Sequence, residues 1–266
     1  MTPRDSRKIG LARTLSKLGY CSRSQAAALI CAGRVRLNNA VRRDPETPVR
    51  IQQDQIAVDG HVVESAAKVY LIMNKPRGLV TTASDEKGRD TVYAILTGTR
   101  EFLPWVAPVG RLDKASEGLL LLTNDSEWAA RVAAPETHIE KTYHVQINKL
   151  ADEELIHAIL RGVKTTDGEV LRARNCTLLR SGEKNCWLEI TLDEGKNRQI
   201  RRILEGLDVE VLRLVRVAIG PLLLGSLPKG SIRRLSGEEK RWLDHFLLLE
   251  RRSVNYKGRE GTRRKT

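Results

Sequence analysis

Cysteine is scarce in this chain, and its spacing is wrong for a metal. Four occur in 266 residues, at Cys21, Cys31, Cys176 and Cys186. None stands in a C-x-x-C pair and no His-x-x-x-His accompanies them, so neither a zinc site nor a disulfide framework is indicated. We expect four reduced thiols and a cytoplasmic protein. The five histidines, His61, His138, His144, His157 and His245, are scattered and form no ligand set. No run approaches the ~18 apolar residues of a spanning helix, and no basic-then-apolar stretch opens the chain; no membrane partner is expected. Phosphate-binding G-x-x-x-x-G-K-[ST] and dinucleotide-binding G-x-G-x-x-G loops are absent, as is a carboxylate cluster suited to paired magnesium. Neither metal nor cofactor is expected.

Positive charge is plentiful. Lys and Arg number 46 against 33 Asp and Glu, a formal net charge of +13. An excess of this size favours a polyanion, because each neutralised phosphate releases condensed counterions. A length of 266 residues accommodates one sizeable core and a small accessory domain.

The pattern changes along the chain. Leu11, Ala12, Leu15 and Leu18 recur at helical spacing, with Gly19 after them. Ser22 and Gln25 form a capping-box pattern that opens a second helix carrying Ala26, Leu29 and Ile30. Short strands follow at Val35 to Leu37 and Ile56 to Val58, punctuated by Asn38-Asn39 and Asp59-Gly60. The outer positions are basic, among them Arg23, Arg34 and Arg36. A composition change near Glu64–Lys68 suggests a linker. From Val69, "VYLIMNK" is apolar on both faces, as in a buried strand. "GLLLLTND" reads the same way and leads into a helix for which Asn124 or Asp125 supplies the cap. "KTYHVQI" alternates, with Tyr143, Val145 and Ile147 on one side. "ADEELIHAILRG" is helical, and so is "NRQIRRILEGL", whose buried stripe is Ile200, Ile203, Leu204 and Leu207. "CWLEITL" and "VEVLRLVRVAIG" are strands, and Ser236 with Glu239 caps a last helix. Strands outnumber helices and connections are short. We expect an α+β protein, with a small N-terminal α/β domain (8–66), a mixed, mainly antiparallel sheet with packed helices (68–248), and a basic disordered tail (249–266). That tail suits either an RNA-binding arm or a solubilising extension.

The stretch "VGRLDKASEGLLLLTND" holds one exposed carboxylate, Asp113, between Arg111 and Lys114. A carboxylate between cations is favoured in its ionised form, which suits a nucleophile or base. A surface ion pair in a turn explains the same residues.

The ordered set of motifs resembles the ribosomal pseudouridine synthases, and more narrowly the RsuA/RluB group. "NKPRG", "GRLD" with "GLLLLTND", "EKTYHV", "EGKNRQIRRI", and "IGPLLLG" with "LPKG" occur in family order. "LARTLSKLGYCSRSQAAALICAGRVRLNN" and "DQIAVDG" resemble the RNA-binding module of ribosomal protein S-four. Together these cover nearly the whole chain up to Phe246. The resemblance implies a cofactor-independent isomerase with ribosomal RNA as partner and no inferred protein partner, the large subunit being the expected source of the target uridine. It implies Asp113 as catalytic carboxylate, Tyr143 against the target base, and Arg201 in an ion pair with Asp113, with Lys196 as the runner-up for that pair. Arg111 is expected to hold the opened RNA. Lys75, Lys196, Arg198 and Arg202, with Arg23, Arg34 and Arg36 of the first domain, are expected to meet RNA. Alternatives are a small-subunit synthase, a non-catalytic ribosome-assembly factor and, for want of ligands the weakest, a metal-dependent nuclease.

Overall fold

A computed structural model describes residues 8–83, 85–99 and 102–260, with backbone alone over 249–260. In chain order the elements are β1 (Ile9–Gly10), α1 (Leu11–Lys17), α2 (Arg23–Cys31), β2 (Val35–Leu37), β3 (Ala40–Arg42), β4 (Pro48–Val49), β5 (Ile56–Val58), β6 (His61–Val62), β7 (Tyr70–Lys75), α3 (Tyr93–Thr97), β8 (Ala107–Val109), β9 (Glu117–Thr123), α4 (Ser126–Ala133), β10 (Lys141–Ile147), α5 (Glu153–Arg161), β11 (Val163–Lys164), β12 (Val170–Leu171), β13 (Asn175–Ser181), β14 (Cys186–Leu192), α6 (Gln199–Glu205), β15 (Val211–Ile219), β16 (Leu222–Leu223), β17 (Ile232–Arg234) and α7 (Gly237–Glu260). The fold is α+β.

Two compact units are present. The first takes in the described residues up to Tyr70 together with Thr99–Pro108 and Leu122–Glu127. Its core is Leu11, Leu15, Ile30, Val35, Ile56 and Val58 with their neighbours, brought together by the helical spacing of α1 and the alternation of β2 and β5. Ser22 and Gln25 close the capping box of α2 as expected. Asn38 and Asn39 both take positive φ, 50° and 68°, which asparagine tolerates and a tight hairpin between β2 and β3 needs. These strands belong to a four-stranded sheet of order β3-β2-β5-β6. The unit reaches past the linker read at Glu64–Lys68. Asn124, buried, accepts from Val69 N (2.8 Å) and donates to Ala67 O (2.8 Å), and Trp105 N donates to Gly19 O (2.9 Å). Such bonds span dozens of residues, so local composition gives no sign of them. They also engage the Asn124 side chain, one of the two residues expected to cap the helix that begins at Ser126.

The second unit takes in Leu71–Gly98, Val109–Leu121 and the described residues from Trp128 onward. Its sheet runs β13-β14-β10-β15-β9-β7-β17, with β16 on β15 and β8 on β9. Strand β10 lies antiparallel between β14 and β15, whereas β15 and β9 are parallel. Valines, isoleucines and leucines at alternate positions of β10 and β14 meet Leu155, Ile159, Ile200, Ile203 and Leu204 from α5 and α6 in one core. Asp152 caps α5 by accepting from Leu155 N (2.8 Å). The last helix, α7, is described as far as Glu260 and so takes in residues 249–260 of the stretch expected as a tail. Arginine, lysine and glutamate propagate a helix readily once packing has nucleated it. Residues 261–266 of the expected tail lie outside the described residues.

Candidate active site

The chain between β8 and β9 carries Arg111, Leu112, Asp113 and Lys114, and its backbone is held from several sides. Thr81 Oγ1 donates to Leu112 O (2.7 Å) and accepts from Leu112 N (3.3 Å). Lys75 Nζ donates to Asp113 O (3.1 Å), Ser116 O (2.9 Å) and Pro76 O (3.2 Å). Gly78 N donates to Lys114 O (2.8 Å), and Arg201 Nη2 donates to Ala115 O (3.2 Å). The backbone is thereby fixed while the Asp113 side chain stays 36% exposed.

Asp113 borders a cleft of about 450 Å³ that Arg111, Tyr143, Lys196 and Arg198 also line. Its apolar wall includes Val132, Pro135, Leu192, Ile200 and Leu214. Tyr143 comes from the middle of β10, in register with Ile190 on one side and Arg216 on the other. The alternation of β10 points it to the same face as Val145 and Ile147, and it packs against the core there. A fixed carboxylate, an aromatic ring and a cationic rim around an apolar cleft suit a flat, uncharged ring carried on a polyanion.

The residues expected from the sequence divide three ways. Asp113, Tyr143, Arg111, Lys196 and Arg198 share the cleft. The expected ion pair between Arg201 and Asp113 is not formed. Among the described residues the group within ion-pair reach of Asp113 is Arg198, with Nη1 3.8 Å from Oδ2. Arg198 opens α6 at a φ of 49°, a strained left-handed turn for a residue with a Cβ. Arg201 is held instead by Ala115 O, and its Nε is buried without a partner. Burial, with Arg198 and Arg77 nearby, lowers its pKa against the opposing pull of Asp113. Lys196 pairs with Glu169 (2.9 Å) and Glu194 (3.3 Å) and so is no partner for Asp113. Arg202 is turned to Asp167 (2.6 Å) and Glu169 (2.9 Å). In the first unit Arg34 grips Asp59 through two bonds, whereas Arg23 and Arg36 are exposed.

Residues 69–206 match the RNA pseudouridylate synthase family. The chain belongs to that family. Residues 9–56 match the S4 domain. An uncharacterised RNA pseudouridine synthase of Rickettsia conorii is 37% identical over 229 residues, 86% of this chain and 96% of that protein. Ribosomal large subunit pseudouridine synthase B of Bacillus subtilis is 35% identical over 231 residues, 86% of this chain and 93% of that protein. A crystal structure of a pseudouridylate synthase superposes with a TM-score of 0.58 at 27% identity, over 87% of this chain and 97% of that one. The chain is thus an RNA pseudouridine synthase with RNA as its substrate.

Lys75, expected to meet RNA, is turned inward instead. The residue is fully buried, and its ammonium serves the loop of Asp113 from behind. Burial presses its pKa down to about 8, against the pull of Asp113 and Glu117. At neutral pH the ammonium predominates and has three protons for three carbonyl oxygens. Lys75→Met fills the same space and leaves those carbonyls without a donor. It is expected to destabilise the synthase by roughly 3 kcal/mol in urea unfolding, and a change under about 0.5 kcal/mol would show that the carbonyls do not depend on it. The pH dependence has a defined sign. Between about 8 and the ordinary lysine value of 10.5, the folded state binds fewer protons at this group than the unfolded state, so its contribution to stability rises with pH there. The difference in stability between wild type and Lys75→Met is expected to grow across that window.

Three residues of this region escaped the sequence reading. Glu117 is buried between Arg213 (3.2 Å) and Lys229. Burial pushes its pKa up, but bonds from Lys229 and Arg213 outweigh this and leave it lowered. Lys141 lines the cleft, and burial together with the charge of Arg216 lowers its pKa. Arg216 is the third. Its signal was legible: in β15 it shares parity with Leu214 and Ala218, so the alternation places an arginine on the buried face.

Proposed function

We infer that this synthase isomerises a uridine of large-subunit ribosomal RNA to pseudouridine, with the carboxylate of Asp113 as the reacting group. The observation that carries this reading is the placement of Asp113: its backbone is clamped by Lys75, Thr81 and Arg201 while its side chain opens on the cleft beside Tyr143. The kinship with the Bacillus subtilis enzyme named for the large subunit supports the choice of RNA. In this reading, residues 8–66 bind RNA, using exposed Arg23 and Arg36, and residues 68–248 carry the chemistry. In the same reading the work is done in the cytoplasm.

A uridine in folded RNA must leave its stack first, at roughly a few kcal/mol. The exposed cations Arg111 and Arg198 at the cleft favour the phosphates of the opened strand, and the Tyr143 ring and the apolar wall receive the base. The bond from ribose C1′ to uracil N1 then breaks, the uracil turns, C5 bonds to C1′, the C5 proton leaves, and N1 takes up a proton. The atoms of substrate and product are the same, and the reaction as a whole transfers no electrons. Asp113 acts at the sugar or base as an ionised carboxylate in a site partly closed from water, where its charge acts more strongly than in bulk. Arg198 is the cation within reach of that carboxylate, and Arg201 secures the loop through Ala115 O.

The test is to incubate the protein with unmodified ribosomal RNA and a chelator and to map carbodiimide adducts that survive alkali. A new reverse-transcriptase stop in large-subunit RNA is expected. A stop confined to small-subunit RNA would reassign the substrate, and no stop in either would defeat the reading. Tyr143→Phe keeps the ring and loses the hydroxyl, which in this reading bonds the base or relays a proton late in the reaction. Its single-turnover rate is expected to fall by about 10²-fold with the fold intact. Full activity would reduce Tyr143 to a packing residue.

A further inference from the structure

Three charged side chains are buried among the described residues, Lys75, Glu117 and Arg216. Two of them are accounted for. Lys75 has three carbonyl oxygens, and Glu117 has two cations. Arg216 is different. It is 5% exposed. Its Nε donates to Leu119 O at 2.8 Å, its Nη2 is buried without a partner, and no carboxylate of the described residues lies within 4.0 Å of it. A buried guanidinium without an anion is expensive to maintain and is always charged.

Its position says what it could serve. Arg216 lines the same cleft as Asp113 and Tyr143. It stands directly across from Tyr143 in the β10–β15 register, and such cross-strand neighbours share a sheet face with Cβ atoms ~5 Å apart. Around them the wall is apolar, through Val132, Pro135, Leu192, Ile200, Leu214 and Ile219. A phosphate would be desolvated against that wall with little to replace its water. A planar ring bearing carbonyl oxygens meets both the wall and the guanidinium. The backbone that carries Arg216 is also fixed, since it lies against Gly118, the residue at its register position on parallel β9.

We propose that Arg216 is a further catalytic residue, which donates a hydrogen bond to a ring carbonyl oxygen of the extruded uracil and stabilises the negative charge that develops there. This rests on the reading of the cleft as the site of isomerisation. When the C1′–N1 bond breaks, its electron pair stays with the uracil, and the charge spreads from N1 to O2 and O4. Arg216 keeps its proton throughout. The pair is returned when C5 bonds to C1′; the C5 proton then departs and N1 takes up a proton, which leaves neutral pseudouridine. Lys141, two positions before Tyr143 on β10 and in the same cleft, adds a second positive charge to the field felt by the ring.

The experiment uses the full-length protein in excess over a large-subunit RNA fragment that contains the mapped uridine. Arg216→Gln and Arg216→Lys are compared with wild type by single-turnover rate, RNA affinity and thermal melting. Removing one preorganised donor to a developing oxyanion lowers rates by about 10²–10³-fold, and Arg216→Gln is expected to do so with affinity within a few-fold. A rate for Arg216→Gln within about tenfold of wild type would overturn the inference. Should Arg216→Gln fail to fold, Arg216→Lys decides the matter. RNA carrying 2-thiouridine or 4-thiouridine at the target presents sulfur, a poor acceptor, in place of one carbonyl oxygen. One of the two is expected to slow wild type by roughly tenfold and Arg216→Lys by much less, because coupled partners are non-additive. Equal slowing of both proteins on both RNAs would overturn the inference. A wild-type protein that modifies no ribosomal RNA at all would overturn the proposed function and this inference with it, whereas an active wild type with an unaffected Arg216→Gln overturns only the latter.

Discussion

Asp113→Asn is expected to lower single-turnover isomerisation by at least about 10²-fold, the usual size of a lost acid–base or nucleophilic group, while RNA affinity changes by only a few-fold. The substitution is nearly isosteric. The bonds that hold this loop are made to main-chain atoms, namely Asp113 O, Leu112 O and N, Ala115 O and Ser116 O, and the asparagine leaves each in place. What it removes is the negative charge that faces the cleft and Arg198 at 3.8 Å. That pair is long and its members are partly exposed, so its loss has little effect on stability. Activity and folding should therefore separate cleanly. An asparagine variant with more than about a tenth of the wild-type rate would remove Asp113 from the chemistry, and one that melts early would show that the side chain also holds the loop.

The second large effect concerns folding. Gly118→Ala is expected to destabilise the second unit by more than about 4 kcal/mol, beyond the range of ordinary substitutions, and to leave little soluble protein. Gly118 has a φ of +102°, a conformation that L side chains rarely adopt. It also lies where parallel β9 and β15 come together, opposite Arg216. A Cβ at Gly118 would sit 2.2 Å from Arg216 O and 2.8 Å from Arg216 N. These are backbone atoms of a central strand and have no room to retreat. Relief requires the two strands to part, which would break the sheet that carries Tyr143 and Arg216 on its neighbouring strands. Urea unfolding or soluble yield measures the effect, and a cost under about 1 kcal/mol would mean the close approach is absent.

Much of this architecture is legible in the chain itself. Alternation in β10 set the face of Tyr143, Val145 and Ile147, because residues two apart in a strand point the same way. The capping boxes at Ser22 and Ser236 are local hydrogen bonds between residues three apart, and both form as read. The motif around Asp113 was visible as a lone carboxylate between two cations ahead of a buried strand. Helical spacing also put Arg198, Arg201 and Arg202 on or near one side of α6. It gave no means of choosing among them, because the choice depends on side-chain reach toward loops far away in sequence. Asp113 lies 85 positions before Arg198 and Ala115 lies 86 before Arg201, and Arg202 finds Asp167 and Glu169.

Local order along the chain determined most of the elements, since these follow from periodicity and capping that act within a few residues, and it singled out Asp113 as a carboxylate between two cations. Tertiary structure decided three other matters. It turned Lys75 from an RNA contact into a buried prop, because β7 ends beneath the loop whose carbonyls need its protons. It brought Arg198 to Asp113 and assigned Arg201 to Ala115 O. It also left Arg216 buried in the cleft, bonded to Leu119 O and with no anion in reach among the described residues, a state that the pairing of β15 with β9 and β10 creates. Composition can show that a chain has many cations; which of them go unpaired depends on desolvation and distance, and those exist only once the strands have met.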